Sequence, residues 1–222
     1  LLIASSIITS SLVVGDSLDA TLSKEVESVY GDTDLLIYQK DRRTGFSYDM
    51  DLNLTTIFGQ SLLASGLADQ WNHGLDTTAT LSRADGLAIP SAGWYAYYGW
   101  EGVAINQVAS DELELVAGDL VEVSWYSYSD DAELIRTSEN VTIGSVIEME
   151  GRGAMSGTNS PAIFTSLELS QQLQSKSWKV NMLRVSMFED LGASEHIPDV
   201  KLLFNQLIDY ESAGFDINAD GD

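Results

Sequence analysis

Residues 102–124 read GVAINQVASDELELVAGDLVEVS, and the order of local signals in this stretch decides the fold. The apolar run at 102–105 is typical of a short strand, and residues 106–113 have the spacing of a short helix. Residues 117–119, Ala-Gly-Asp, form a turn signal, and residues 120–126 alternate apolar with polar side chains. The stretch therefore predicts a strand, a helix, a turn and a second strand.

The segments on either side of this stretch contain further strand and helix signals. We predict strands at residues 34–39, 46–52, 77–81, 132–136, 140–148, 162–165 and 178–188. We predict helices at 15–30, from Thr55 or Thr56 to about residue 72, at 166–174 with Ser166 as N-cap, and at 192–210 with Pro198 in the first turn or dividing it. Residues 87–100 have no clean period and are predicted to be loop with strand fragments, and 151–159 form a glycine-rich loop.

The order of these elements predicts an α+β protein with an insertion. Strand–helix–strand signals at 34–81 and a strand–helix pair at 178–210 bracket a strand-rich middle. We assign residues 31–85 and 176–215 to one α+β subdomain, and residues 86–175 to an inserted, smaller β-rich subdomain. Both chain ends then lie on the first subdomain, as expected if both return to one membrane surface.

The opening residues, LLIASSIITSSLVV, contain no charge, glycine or proline. A helix of this length rises about 21 Å, which is less than the roughly 30 Å hydrocarbon core of a bilayer. Because the chain starts at Leu1 rather than at a methionine, we interpret residues 1–14 as the outer end of a transmembrane helix, continued by an amphipathic stalk to residue 30. A buried core helix and the remnant of a signal peptide are the alternative interpretations.

The chain carries 34 acidic and 11 basic residues, a formal net charge of −23, and no cysteine. An acidic surface repels phosphate backbones, so nucleic-acid binding is not expected. The absence of cysteine excludes thiol catalysis, thiolate metal sites and disulfides. The two histidines, His73 and His196, lie in no zinc or serine-hydrolase motif, and His73 is expected at a helix end. We therefore predict no catalytic residue and no enzymatic activity.

Trp94, Tyr95, Tyr97, Tyr98 and Trp100 form the densest aromatic run of the sequence. Such rings pack a junction between subdomains, anchor a protein partner or stack on sugar rings. We favour packing, and we retain all five as candidate partner-binding residues.

The final residues, DINADGD, match the first half of a calcium-binding loop. Asp216, Asn218, Asp220 and Asp222 stand at alternate positions, and Gly221 stands where such a loop turns. Calcium is therefore the one cofactor that the sequence suggests, with these four side chains as candidate ligands. A simple acidic glycine turn is the alternative interpretation.

The stretch at 102–124 also resembles a segment of ABC-transporter permeases of the FtsX/MacB type, within their MacB-like periplasmic core domain. In that family an apolar strand leads into a helix, and a hydrophobic-x-x-Gly-Asp turn leads into a β-branched strand. Further segments are similar in the same order: residues 1–22 resemble the outer end of the first transmembrane helix, 142–149 the strand before a glycine-rich loop, 161–174 the next strand-to-helix step, and 180–186 the strand that closes the inserted region. The resemblance covers most of the chain and is weakest at residues 41–100.

This resemblance implies a porter-like βαβ subdomain with a β-rich insertion, held on the extracytoplasmic side of the cell membrane between two transmembrane helices. It implies a cytoplasmic ATP-binding subunit as partner, a dimer in the full-length protein, and movement of the outer domain driven by ATP hydrolysis. An exported substrate or an extracytoplasmic protein would receive that movement, with Arg152 and Met155 of the glycine-rich loop as contacts. The alternative function is a secreted or surface-anchored carbohydrate- or protein-binding module that uses the aromatic run and a calcium loop.

Overall fold

A computed structural model describes residues 33–40, 47–128, 133–149, 159–187, 193–209 and 212–219. The predicted membrane helix and stalk at 1–30 lie outside these ranges, as do Arg152, Met155, Asp220 and Asp222. Among the helices within these ranges, none is long and apolar enough to cross a bilayer. The interpretation of residues 1–30 therefore stays a prediction.

The described residues form fourteen strands and four helices. The strands are β1 (Leu35–Lys40), β2 (Ser47–Tyr48), β3 (Met50–Asp51), β4 (Ala68–Gly74), β5 (Thr77–Ser82), β6 (Ala88–Tyr97), β7 (Val103–Asn106), β8 (Leu120–Tyr128), β9 (Leu134–Thr142), β10 (Ser145–Ile147), β11 (Ala162–Ser166), β12 (Lys179–Val180), β13 (Met182–Met187) and β14 (Phe215–Ala219). The helices are α1 (Leu52–Ser65), α2 (Gln107–Leu113), α3 (Leu167–Leu173) and α4 (Ala193–Leu207).

Twelve of these strands form one sheet, and β3 and β12 pair with each other. The main path of the sheet runs β10-β7-β11-β6-β4-β13-β1-β14, while β2 pairs with β1 and the strands β5, β8 and β9 extend from β6. Most neighbours are antiparallel, and the pairs β7–β10 and β6–β11 are parallel. The predicted α+β class is confirmed.

The first hydrophobic core lies between this sheet and helices α1 and α4. The ring of Phe58 on α1 stacks on Phe204 of α4 at 4.2 Å between centroids, and Phe215 of β14 meets Phe58 edge-on at 5.3 Å. These rings come from distant parts of the chain, so their burial connects its early and late segments. This core draws on residues 35–75 and 180–217, together with Ala96 and Leu167.

A second hydrophobic core is formed by buried residues from positions 79 to 163, including residues of α2. Asn106 positions this helix, which the sequence predicted at residues 106–113. Its side-chain Oδ1 accepts hydrogen bonds from the backbone N–H groups of Ala109 and Ala162, each at 3.0 Å, and its Nδ2 donates to the Ser160 carbonyl at 2.9 Å. The first bond caps α2 and the other two attach β11 to it. The same sheet contributes strands to both cores. The predicted division into subdomains stays a prediction.

Residues 87–100 differ from the sequence prediction, because they contain the ten-residue strand β6 instead of loop. Ala92, Trp94 and Ala96 are buried on one side of this strand, while Tyr97 belongs to a separate cluster. When both sides of a strand are buried, polar and apolar residues no longer alternate. The periodicity that would have indicated a strand is therefore missing.

Helix α1 ends at Ser65, well before the predicted end near residue 72. Gly66 adopts φ 74°, and its N–H caps the carbonyls of Leu62 and Leu63. Glycine tolerates this left-handed conformation, which ends the helix. The residues that follow form strand β4, so His73 lies in a strand and the prediction of a helix end at His73 is wrong.

Three other predicted strands have different bounds. The strand predicted at 178–188 is divided into β12 and β13, and Trp178 before it has φ 60°. The strands predicted at 132–136 and 140–148 are instead the single nine-residue strand β9 and the short β10. Helices α3 and α4 are confirmed, with Ser166 as N-cap of α3 and Pro198 inside α4.

Candidate functional site

Trp94, the first residue of the predicted aromatic run, lies inside the second core. Its side chain is 0% exposed, and its Nε1 donates a hydrogen bond of 2.9 Å to the hydroxyl of Thr165. Its ring meets Trp125 edge-on, with 5.4 Å between centroids. Trp94 therefore packs strands β6, β8 and β11 together.

The remaining buried rings of the run form a third cluster on the other side of β6. Tyr95 stacks on Phe164 at 5.5 Å between centroids. Trp100 lies 6.0 Å from Phe164 and 6.4 Å from Tyr97. The cluster attaches the loop after β6 to strand β11.

The exposure of these rings divides the five candidate partner-binding residues. Trp94 and Tyr97 are buried, and Tyr95 and Trp100 are half-buried, whereas Tyr98 is 64% exposed. The prediction of partner contact is wrong for Trp94 and Tyr97, because a buried ring offers no surface. Tyr98 is the candidate of this run with a freely accessible ring.

A buried ion pair, which the sequence interpretation missed, lies beside this cluster. Arg184 of β13 is 5% exposed, and its Nη2 donates to the Asp76 carboxylate in the link between β4 and β5. The Arg184 guanidinium also lies over the Tyr97 ring, 4.5 Å from its centroid, in cation–π geometry. Burial raises the pKa of Asp76, and Arg184 opposes this rise by favouring the carboxylate.

Neighbouring groups hold this ion pair in place. The side chain of Asn181 bonds the backbone of Asp76 in both directions, accepting from its N–H at 2.8 Å and donating to its carbonyl at 2.5 Å. A Cβ atom at Gly74 would clash with Arg184 Nη1, so the guanidinium would have to move if Gly74 carried a side chain. Asp76, Arg184, Asn181 and Tyr97 together form what we call the junction latch.

The junction latch lies where the two cores meet. Strand β6 pairs with β5 over most of its length, from Ala88 to Trp94. Its contact with β4 is limited to the pair Gly74–Tyr97 and a hydrogen bond of 3.2 Å from Leu75 N–H to the Ala96 carbonyl. Few hydrogen bonds therefore join the two halves at this point, and the latch connects β13 to both β6 and the β4–β5 link.

His73 is buried in the first core beside helix α1. Its Nε2 lies 2.9 Å from the Thr55 hydroxyl, and its ring meets Trp71 edge-on at 4.9 Å. Burial lowers the pKa of His73 to about 4, because the charged imidazolium loses its hydration. This environment favours a neutral, structural histidine.

The described part of the candidate calcium loop is extended. Asp216 and Asn218 lie on β14, where they pair with Tyr38 and Leu36 of β1. Asp216 also lies 3.6 Å from the Lys40 ammonium. Within the described ranges no group of acidic or histidine side chains is arranged to hold a metal ion. Asp220 and Asp222 lie outside those ranges, so calcium binding stays a prediction, as does the role of Arg152 and Met155.

Comparison with solved structures reveals the same fold in two transporter domains. The periplasmic region of MacB from Actinobacillus actinomycetemcomitans matches with a TM-score of 0.57 at 10% identity, covering 89% of this chain and 92% of that one. The extracellular domain of the noncanonic ABC-type transporter YknZ from Gram-positive bacteria matches with a TM-score of 0.51 at 9% identity, covering 84% and 99%. No protein-family model and no curated protein matches the sequence.

The fold is thus that of an α+β domain found outside the membrane in ABC-type transporters. More particularly, it is the fold of the MacB-type periplasmic domain, and the resemblance drawn from residues 102–124 is confirmed at the level of the fold.

Proposed function

We propose that this chain is the extracytoplasmic domain of an ABC-transporter permease and transmits ATP-driven conformational change to an exported substrate or a partner protein. The observation that carries this proposal is the shared fold, which extends over 89% of the chain. Sheet topology also supports it. Leu35 of β1 lies opposite Ala219 of β14, so the segments before β1 and after β14 leave the sheet at the same end. This arrangement suits a domain placed between two transmembrane helices.

In this proposal the chain hydrolyses nothing itself. A cytoplasmic ATP-binding subunit supplies the energy, and membrane segments of the permease connect it to the outer domain. The neutral, buried His73 is consistent with a non-enzymatic role, because it lies beside a hydroxyl that also bonds the helix backbone. Tyr98, Arg152 and Met155 are the candidate contacts to an extracytoplasmic partner.

The junction latch offers a route for the transmitted motion. Arg184 belongs to the sheet that α1 and α4 cover, whereas Tyr97 ends the strand that continues into the second core. The Arg184 side chain is 5% exposed and the Asp76 side chain 19% exposed, so separating the pair would leave a buried guanidinium without its partner charge. The latch would therefore make the second core follow a movement of the first.

Cysteine labelling tests the location. The chain has no cysteine, so Ala64→Cys on α1 and Tyr98→Cys after β6 each introduce a single reactive thiol at an exposed position. In intact cells that produce the complete permease, a membrane-impermeant maleimide should label both variants. Labelling that requires cell lysis would contradict the proposal.

An environment-sensitive fluorophore on Tyr98→Cys tests transmission in the purified permease with its ATP-binding subunit. Its emission should change on ATP addition and remain constant with a hydrolysis-deficient subunit. Asp76→Leu/Arg184→Met, which replaces the latch by apolar side chains, should reduce the change while ATP hydrolysis continues. An ATP response of full size in this variant would exclude the latch as the route.

Calcium binding by the C-terminal residues is a separate proposal that rests on the sequence DINADGD. Calorimetric titration of the chain with calcium should show a saturable heat of binding, and Asp220→Asn should abolish the signal. Asp209→Asn, another acidic residue near the same end, serves as the matched control. Equal signals from both variants would refute the assignment.

A further inference from the structure

Strand β9 forms an open edge of the sheet. Within the described part of the chain it pairs with β8 alone, through nine consecutive residue pairs from Leu120–Thr142 to Tyr128–Leu134. Its side chains are exposed, apart from Thr137 and Val141, which are half-buried. An edge of this kind presents unpaired backbone N–H and carbonyl groups to any second strand.

This edge has few of the features that usually prevent strand addition. Proteins protect edge strands with charged side chains, above all lysine, or with proline, a bulge or shortness, and the charged residues of β9 are Arg136 and Glu139. The sequence of β9, LIRTSENVT, contains neither proline nor lysine, and its register with β8 is unbroken. It also exposes apolar side chains, because Leu134 is 58% exposed and Ile135 is 46% exposed.

The sequence of β9 is complementary to itself in one antiparallel register. In a two-fold antiparallel pair of strands, equivalent faces of the two sheets lie on the same side. The axis must therefore pass between two copies of the same residue, which lie opposite each other. With the axis at Ser138, Ile135 of one copy lies opposite Val141 of the other. Leu134 then lies opposite Thr142 of the other copy. Within that copy Thr142 pairs with Leu120 of β8, which is 60% exposed, so the three side chains lie side by side across neighbouring strands. Ile135 therefore gains an apolar neighbour directly opposite it, and Leu134 gains the methyl group of Thr142.

The charges of β9 are compatible with the same register. With the axis at Ser138, Arg136 lies opposite Asn140 of the second copy and Glu139 lies opposite Thr137, so no like charges meet. An axis at Glu139 would place two glutamates opposite each other, and an axis at Thr137 would place Ile135 against Glu139. Like charges directly opposite each other destabilise a sheet.

We propose that β9 is a homodimerisation edge, on which a second copy of this chain adds its own β9 antiparallel, with the two-fold axis at Ser138. The result is one sheet continuous across both copies. Because each copy carries a net charge of −23, long-range repulsion opposes the contact, and salt screens it. Dimerisation is therefore weak at low ionic strength and strengthens as salt is added. The proposal concerns this chain alone and does not depend on the proposed function.

Disulfide trapping tests the register, using the whole 222-residue chain in a nonionic detergent that keeps residues 1–14 dispersed. Ser138→Cys places two thiols opposite each other at the axis, so mild oxidation should yield a disulfide-linked dimer. Asn140→Cys is the matched control on the same exposed strand. In the proposed dimer the two cysteines of this variant would be offset by four residues, about 13 Å along the strands, and should not crosslink. Equal crosslinking of the two variants, or none with Ser138→Cys, would overturn the proposal.

Charge exchange at the same residue tests the contact without oxidation. Ser138→Glu and Ser138→Lys each place like charges at the axis, and each should weaken dimerisation about tenfold or more in sedimentation equilibrium. An equimolar mixture of the two variants should regain the dimer, because glutamate then faces lysine. The proposal fails if the unchanged chain is monomeric at every salt concentration, or if both variants dimerise as it does.

Discussion

His73 makes the stability of this domain depend on pH in a predictable direction. Its pKa is about 4 in the folded chain and 6.5 in the unfolded chain, so the unfolded state takes up the proton first. The stabilisation from the neutral, buried ring is fully present above pH 6.5 and is lost as the pH falls towards 4. The shift corresponds to about 3 kcal/mol in total, of which about 2 kcal/mol is lost by about pH 5.

His73→Gln removes the titrating group and keeps a side-chain amide that can bond the Thr55 hydroxyl. The many carboxylates of the chain also titrate in this range, so the informative quantity is the difference between the unchanged chain and the variant. Urea unfolding, followed by tryptophan fluorescence between about pH 7.5 and pH 4.5, gives the free energy of unfolding of each. The advantage of the unchanged chain over His73→Gln should decrease by about 2 kcal/mol on acidification to about pH 5.

His196→Gln is the matched control, because it removes the other histidine, on the outer part of α4. Because His73 remains in this variant, the loss of stability that depends on the lowered pKa of His73 should persist in it. If His73→Gln and the unchanged chain lose stability in parallel as the pH falls, the burial argument for His73 is refuted.

Three further substitutions test buried polar groups by urea unfolding. Asp76→Ala should destabilise the fold by about 3–5 kcal/mol, because Arg184 is left as an unpaired buried charge, and Asp76→Leu/Arg184→Met should recover much of this loss. Asn106→Ala removes the acceptor for two backbone N–H groups and should cost about 2–4 kcal/mol, whereas a loss below about 1 kcal/mol would contradict its positioning role. Thr165→Val leaves the Trp94 indole N–H unpaired and should cost about 1–3 kcal/mol, with Thr78→Val at an exposed position of β5 as a near-neutral control.

The local signals of the sequence predicted the elements whose burial is one-sided. Helix α3 follows the N-cap Ser166 and α2 follows the N-cap Asn106, so both starts could be predicted from residues close in sequence. Strand β8 alternates because one face packs in the second core while the other meets solvent. The order of these elements was enough for the resemblance at residues 102–124.

The junction latch could not be predicted from the sequence. Asp76 is one of 34 acidic residues, and its partner Arg184 lies 108 positions away. A single arginine inside the apolar stretch VNMLRVS was the available signal, since an unpaired charge is not tolerated in a buried strand. That signal indicates that a partner exists and leaves its identity open.

The sequence by itself determined the α+β class, the acidic surface and the starts of α2 and α3, because each depends on composition or on residues within one or two turns. Tertiary structure alone decided that residues 88–97 form a strand, that His73 is buried against Thr55, and that β9 is left open at the edge. These features depend on which distant segments cover each side of a strand. The sequence of a strand does not specify which distant segments pack against it, because those contacts form only when the sheet is assembled.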